Sequence, residues 1–76
     1  MEDLIKFLSK EITGFENPEV VSEERDGIVY YIISVPQEHV GKLIGKNGRI
    51  INALRAVASV RASKEGTRIG IEVKES

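Results

Sequence analysis

Residues 43–50 read LIGKNGRI, and no other stretch of the 76-residue chain restricts its fold as strongly. Helical spacing leads into this segment and resumes directly after it, so two helices must meet at a corner of four residues. Glycine at both ends of that corner, Gly45 and Gly48, gives access to backbone angles closed to other residues. It also removes two side chains, so an external backbone can come close. The first turn of the second helix then presents unpaired N–H groups and a partial positive charge. Lys46 projects from the tip, and Asn47 is placed either to cap the following helix or to donate hydrogen bonds outward. Amides, a helix N-terminus and an ammonium in one place suit an anion, and the anion this spacing fits is a phosphate.

The rest of the chain supplies the surrounding elements. Leu4, Ile5, Leu8 and Ile12 fall at helical spacing, flanked by Phe7 and Phe15, and predict an amphipathic helix over about residues 2–14. Glu2 and Asp3 complement its dipole, and Gly14 and Pro18 stop it. Residues 19–25 read as a weak strand, and Asp26-Gly27 as a tight hairpin turn. Residues 28–35, IVYYIISV, carry apolar side chains on both faces and predict a central strand that Pro36 ends. Residues 37–44 form a short helix with Val40, Leu43 and Ile44 inward. Ile50, Ile51, Leu54, Val57 and Ala58 mark the inward stripe of a helix running to about residue 64, with Gly66 as its C-terminal cap. Residues 67–73 alternate, with Ile69, Ile71 and Val73 on one face. The order α-β-β-α-α-β predicts an α+β domain. A hairpin and a parallel return strand make a three-stranded mixed sheet, with the helices packed on one face.

Composition narrows the chemistry. One domain spans residues 1–76, and a chain of this size buries a modest core. Without cysteine there are no disulfides or thiolate metal sites, and a single histidine, His39, builds no zinc site. His39 is expected at the surface or an interface, without catalytic duty. Tyr30 and Tyr31 are strand neighbours, so one should pack under the helices and the other lie on the open face of the sheet. No segment approaches the roughly 20 apolar residues of a membrane span. The acidic, amphipathic start is unlike a secretory leader, so the expectation is a cytoplasmic protein with no membrane association.

Net charge is −1, but it is divided. Residues 1–40 carry three basic and nine acidic groups, and residues 41–76 carry eight basic and three acidic ones. The basic half contains the glycine corner.

The segment VGKLIGKNGRIINALR resembles the signature of the K-homology (KH) domain, hydrophobic-Ile-Gly-x-x-Gly-x-x-Ile. The helix and strand ahead of it resemble the type II arrangement of that family. The whole chain is similar to small bacterial RNA-binding proteins made of one KH domain. The resemblance implies a non-catalytic protein that binds single-stranded RNA, as a chaperone or post-transcriptional regulator. In such domains the Gly-x-x-Gly loop clamps the backbone of about four nucleotides. Carried over by position, the loop is Gly45, Lys46, Asn47 and Gly48. The RNA would lie between the two core helices and the last strand. Val40, Gly41 and Ile44 would line that groove, with Ile51 and Ile69 extending it. Ile44 and Ile51 suit the core, the groove or both. Lys42, Arg49 and Arg55 would flank the phosphates. Arg61, Lys64 and Arg68 would extend the positive field, with a solvated surface the better reading of Arg61 and Lys64.

No aromatic residue stands near this groove, so weak, low-specificity binding by one copy is expected. Useful affinity would then need a second copy. The resemblance implies self-association, as a homodimer, and pairing with a larger KhpB-like RNA-binding protein. The small residues of segment 56–62 are the candidate contact. Two other classes compete. A dimerising adaptor with a KH fold and little RNA affinity would explain the acidic half. An enzyme is disfavoured, because Ser9, Ser22, Ser34, Ser59 and Ser63 have no histidine in a matching motif. The glycine corner also lacks the longer spacing and the Lys-Ser/Thr ending of a nucleotide-binding P-loop. No cofactor is expected.

Overall fold

The computed structural model describes residues 1–76. Helix α1 spans Glu2–Thr13, strand β1 Glu19–Arg25, strand β2 Ile28–Val35, helix α2 Gln37–Ile44, helix α3 Arg49–Lys64 and strand β3 Arg68–Glu75, with a single 3₁₀ turn at Lys46–Gly48 between α2 and α3. The sheet order is β1-β2-β3. The β1–β2 pair is antiparallel and the β2–β3 pair parallel, so α2 and α3 together form the crossover.

Local chemistry sets the boundaries. Gly14 closes α1 in the left-handed conformation, its amide donating to the Lys10 carbonyl. Asp26 and Gly27 have φ of 52° and 80°, the pair of positive values that a two-residue hairpin turn requires. Gly66, at φ 74°, ends α3: its amide donates to the Ser63 carbonyl, and the Thr67 amide donates to that of Ala62.

Ile33, Val35 and Ile71 meet Ile5, Leu43, Ile51, Leu54 and Ala58 to form the core between sheet and helices. Two buried hydroxyls on α1 are satisfied within the helix: Ser9 donates to the Ile5 carbonyl and Thr13 to that of Ser9, each at 2.8 Å.

The α3 stripe differs from the sequence expectation. Its buried residues are Ile51, Leu54, Ala58 and Ala62, whereas Val57 is 51% exposed and Ile50 half-buried. At about 100° per residue, Val57 stands roughly a quarter turn away from the line joining the buried four. Ala62 takes the inward place one turn beyond Ala58. Ile44 also departs from its inward assignment: Leu43 is fully buried, and Ile44 is 39% exposed.

The two tyrosines separate as strand alternation requires. Tyr31 packs against the core, and its phenol is held above its usual pKa, chiefly by burial and then by the charges of Glu2 and Glu65. Tyr30 lies on the opposite face, where a Cβ on Gly70 would come within 2.7 Å of its ring. The Arg25 guanidinium sits 4.7 Å above that ring and bridges Glu23 and Glu72. That contact holds Glu23 below the usual carboxylate range, through the hydrogen bond from Arg25 first and its charge second.

Candidate nucleic-acid interface

The corner between α2 and α3 is built on three residues with positive φ. Gly45 has φ 77° and ψ 173°, a region open essentially to glycine alone. A Cβ there would collide with the Ile50 side chain and lie 2.9 Å from the Ile50 amide nitrogen. Gly45 is therefore fixed by both conformation and space. Asn47 (φ 56°) and Gly48 (φ 75°) complete the reversal. At Gly48 no atom comes closer than 3.8 Å to an added Cβ, so conformation alone favours glycine.

The hydrogen bonds that shape this elbow are donated by the amides of Gly45 to the Gly41 carbonyl, Gly48 to that of Gly45, and Arg49 to that of Lys46. The amides of Lys46 and Asn47 donate to none of its carbonyls. Asn47 does not cap α3: the N-cap is Gly48, and no side chain bonds to the helix start. The left-handed backbone of Asn47 instead leaves its side chain exposed beside Lys46.

The flanking residues fall into three groups. Lys42, Lys46 and Arg49 are exposed, and none pairs with a carboxylate; the chain's ion pairs involve Lys10, Arg25, His39 and Arg61. Their charge is therefore uncompensated at short range. Gly41 is exposed with open space where a Cβ would stand, so nothing in the fold itself demands glycine at that position. Ile44 adds an exposed apolar surface beside it, while Val40 packs partly against the core.

Ile51 and Arg55 occupy different places from the other candidates. Ile51 is only 8% exposed and belongs to the core. Ile69 is half-buried and also packs on the core, which leaves Ile44 as the groove's freest aliphatic surface. Arg55 does not extend toward the elbow's tip. It spans from α3 to β3 and donates to the Ile71 carbonyl at 3.1 Å. This tether joins residues 16 apart, a separation at which sequence spacing carries no signal.

His39, expected at the surface or an interface, is half-buried. Its ring packs against Phe15 with centroids 5.2 Å apart, and its Nδ1 is buried without a hydrogen-bond partner. Two surface depressions lie elsewhere. One, of about 330 Å³, is lined by Met1, Glu2, Asp3, Ser22 and Tyr31. The other, of about 240 Å³, lies along the α3–β3 seam at Ser59, Ala62, Ser63, Thr67, Arg68 and Ile69. No group of acidic, histidine or cysteine side chains is arranged to hold a metal ion, and no helix is long and apolar enough to cross a membrane.

The element order, the mixed sheet and a Gly-x-x-Gly elbow between the two crossover helices define a type II KH domain. The family model for the KH domain of KhpA and KhpB matches residues 2–73. Curated relatives agree over nearly the full chain. The RNA-binding protein KhpA of Listeria monocytogenes is 36% identical over 76 residues, covering 99% of this chain and 100% of the relative. The proteins of the same name from Aquifex aeolicus and Halalkalibacterium halodurans are each 32% identical, covering 99% and 96% of this chain and 96% and 97% of their own. The chain belongs to the KhpA/KhpB KH-domain family, which is non-catalytic.

Proposed function

We propose that this protein binds single-stranded RNA without catalysis, and that the Gly45–Gly48 elbow holds the sugar–phosphate backbone. One observation carries the reading. The elbow combines amides unused by its own turn with three exposed cations, Lys42, Lys46 and Arg49, that have no acidic partner. The relatives' name, RNA-binding protein KhpA, supports RNA as the ligand. Gly41 and Ile44 offer the bases an open, aliphatic surface. Few phosphates are neutralised, so binding by one copy is weak and its salt dependence shallow. The protein acts in the cytoplasm as an RNA chaperone or post-transcriptional regulator, and gains affinity by pairing with a second copy or with a KhpB-like RNA-binding protein.

Replacing Lys46 and Asn47 with aspartate tests this reading. Two carboxylates at the tip oppose the phosphate without touching the core, so RNA retention is lost while the melting temperature holds. Unchanged binding by the folded variant would remove the elbow from the mechanism.

A second reading, a dimerising adaptor, is favoured by the outer face of α3. Val57 and Val60 are 51% and 62% exposed, next to the small residues of segment 56–62. Sedimentation with and without RNA separates the two: a tight oligomer that ignores RNA supports the adaptor.

A further inference from the structure

The two edges of the sheet are finished differently. The Ser76 amide donates to the Val35 carbonyl at 3.0 Å, so Val35 turns its main-chain groups toward the β3 side. By alternation along β2, Val29, Tyr31 and Ile33 do the same, and Ile28, Tyr30, Ile32 and Ser34 turn theirs toward β1. Their partners there are Arg25, Glu23, Val21 and Glu19. The main-chain groups of Val20, Ser22 and Glu24 therefore point away from the sheet, and they make no hydrogen bond within the protein. Free edges are commonly guarded by proline, lysine or a bulge, and the seven residues of β1 contain none of these. On the other edge strand, β3, Arg55 occupies the Ile71 carbonyl.

The surface beside the β1 edge is acidic. Val20, Ser22 and Glu24 share the helix-side face of the strand, where Val20 packs on the core. Ser22 borders a depression that it shares with Tyr31, Glu2 and Asp3. Glu2, Asp3 and Glu24 are exposed, and none pairs with a cation. On the opposite face Val21 is 42% exposed and stands beside Ile32. A strand laid along β1 would set alternate side chains over an acidic trough and over apolar surface. A second copy of β1, with three glutamates and one arginine, would bring like charge to the trough.

We infer that the β1 edge is a docking site for an extended, basic segment of another protein. The segment adds as a fourth strand, with lysine or arginine side chains over Ser22 and Glu24 and an apolar one over Val21. Main-chain hydrogen bonds supply the affinity of such an addition, and the alternate side chains supply its selectivity. The site shares no residue with the elbow and stands independently of the RNA-binding reading.

The test uses the whole protein and a fluorescein-labelled peptide of about nine residues that alternates lysine and valine. Anisotropy is read at fixed ionic strength. One control peptide has glutamate in place of lysine, and a second carries N-methyl groups on alternate main-chain amides. The parent peptide binds and the glutamate peptide does not. The N-methylated peptide keeps the charge, loses ladder donors and binds about tenfold more weakly. The amides of Val20, Ser22 and Glu24 gain protection from hydrogen exchange when the parent peptide is bound. Ser22→Pro removes an outward amide that β2 does not use, so docking falls about tenfold while RNA binding is unchanged. Glu2→Gln with Asp3→Asn keeps the ladder and weakens docking about threefold. Failure of the parent peptide to bind, or equal binding of the N-methylated peptide, overturns the inference. Protection at Val20, Ser22 and Glu24 that rises with protein concentration and needs no peptide assigns the edge to a second copy and also overturns it.

Discussion

The chain makes the same backbone reversal twice and uses it differently. Asp26-Gly27 and Asn47-Gly48 are both Asx-Gly pairs, with φ of 52° and 80° in the first and 56° and 75° in the second. Short polar side chains tolerate the left-handed region and glycine enters it freely, so each pair turns the chain within two residues. At Asp26-Gly27 the chain passes directly into paired strands, Arg25 facing Ile28, and the residues around the turn include Glu23, Glu24 and Asp26. At Asn47-Gly48 the chain passes into the start of α3, a positive dipole end, among Lys42, Lys46 and Arg49. The conformation is the same; what differs is the element that follows it, a paired strand in one case and the start of a helix in the other, and which charge surrounds it. A site is thus made by the helix start and the cations set around a turn, not by the turn's conformation alone.

The comparison can be broken most decisively at the tips. Lys46→Asp with Asn47→Asp lowers RNA affinity more than tenfold, whereas reversing charge at Asp26 with lysine leaves it within twofold; fluorescence anisotropy at fixed ionic strength measures both. That fixed ionic strength matters because the backbone contacts are electrostatic.

Next in size is Gly45→Ala. Positive φ and the collision with Ile50 together cost about 2–4 kcal/mol, from the strain of a disallowed backbone added to overpacking. Thermal unfolding of so small a domain shifts by roughly 4–8 °C per kcal/mol, so the loss is easily read. Gly27→Ala and Gly48→Ala sharpen the contrast, since neither position crowds an added methyl group. Each costs about 1–2 kcal/mol of stability, the cost of placing alanine in the left-handed region. Only Gly48→Ala also weakens RNA binding.

The smallest effect concerns Glu23. Arg25 depresses its folded-state pKa, so the stabilisation this contact gives is present at neutral pH, above the unfolded-state value. It is lost as pH falls through the folded-state pKa, below the ordinary carboxylate range. Both groups are exposed, so the Glu23→Gln variant should show only a slight flattening of the acid limb of the melting curve, and none in high salt.

Much of this was readable from the residues because the signals are local. Gly14, Pro36 and Gly66 punctuate elements whose observed ends lie within two residues of expectation, and Asp26-Gly27 announces its hairpin. The glycine elbow was legible for the same reason: its conformation is dictated by the residues that form it. Contacts across the fold were not. Nothing near Arg55 in sequence announces the Ile71 carbonyl. The placement of Val57 failed for a related reason. Apolar residues occur around much of α3, and only packing against the sheet decides that Ala58 and Ala62 lie inside. His39 against Phe15 is a further long-range contact that a lone histidine does not announce.

Backbone amide resonances followed during titration with a single-stranded oligonucleotide test the central claim most directly. The account predicts that the largest shifts fall at Lys46, Asn47 and their neighbours between positions 44 and 49, while Asp26 and Gly27 stay still. Movement at both turns alike, or none at the elbow while RNA binds elsewhere, would contradict it.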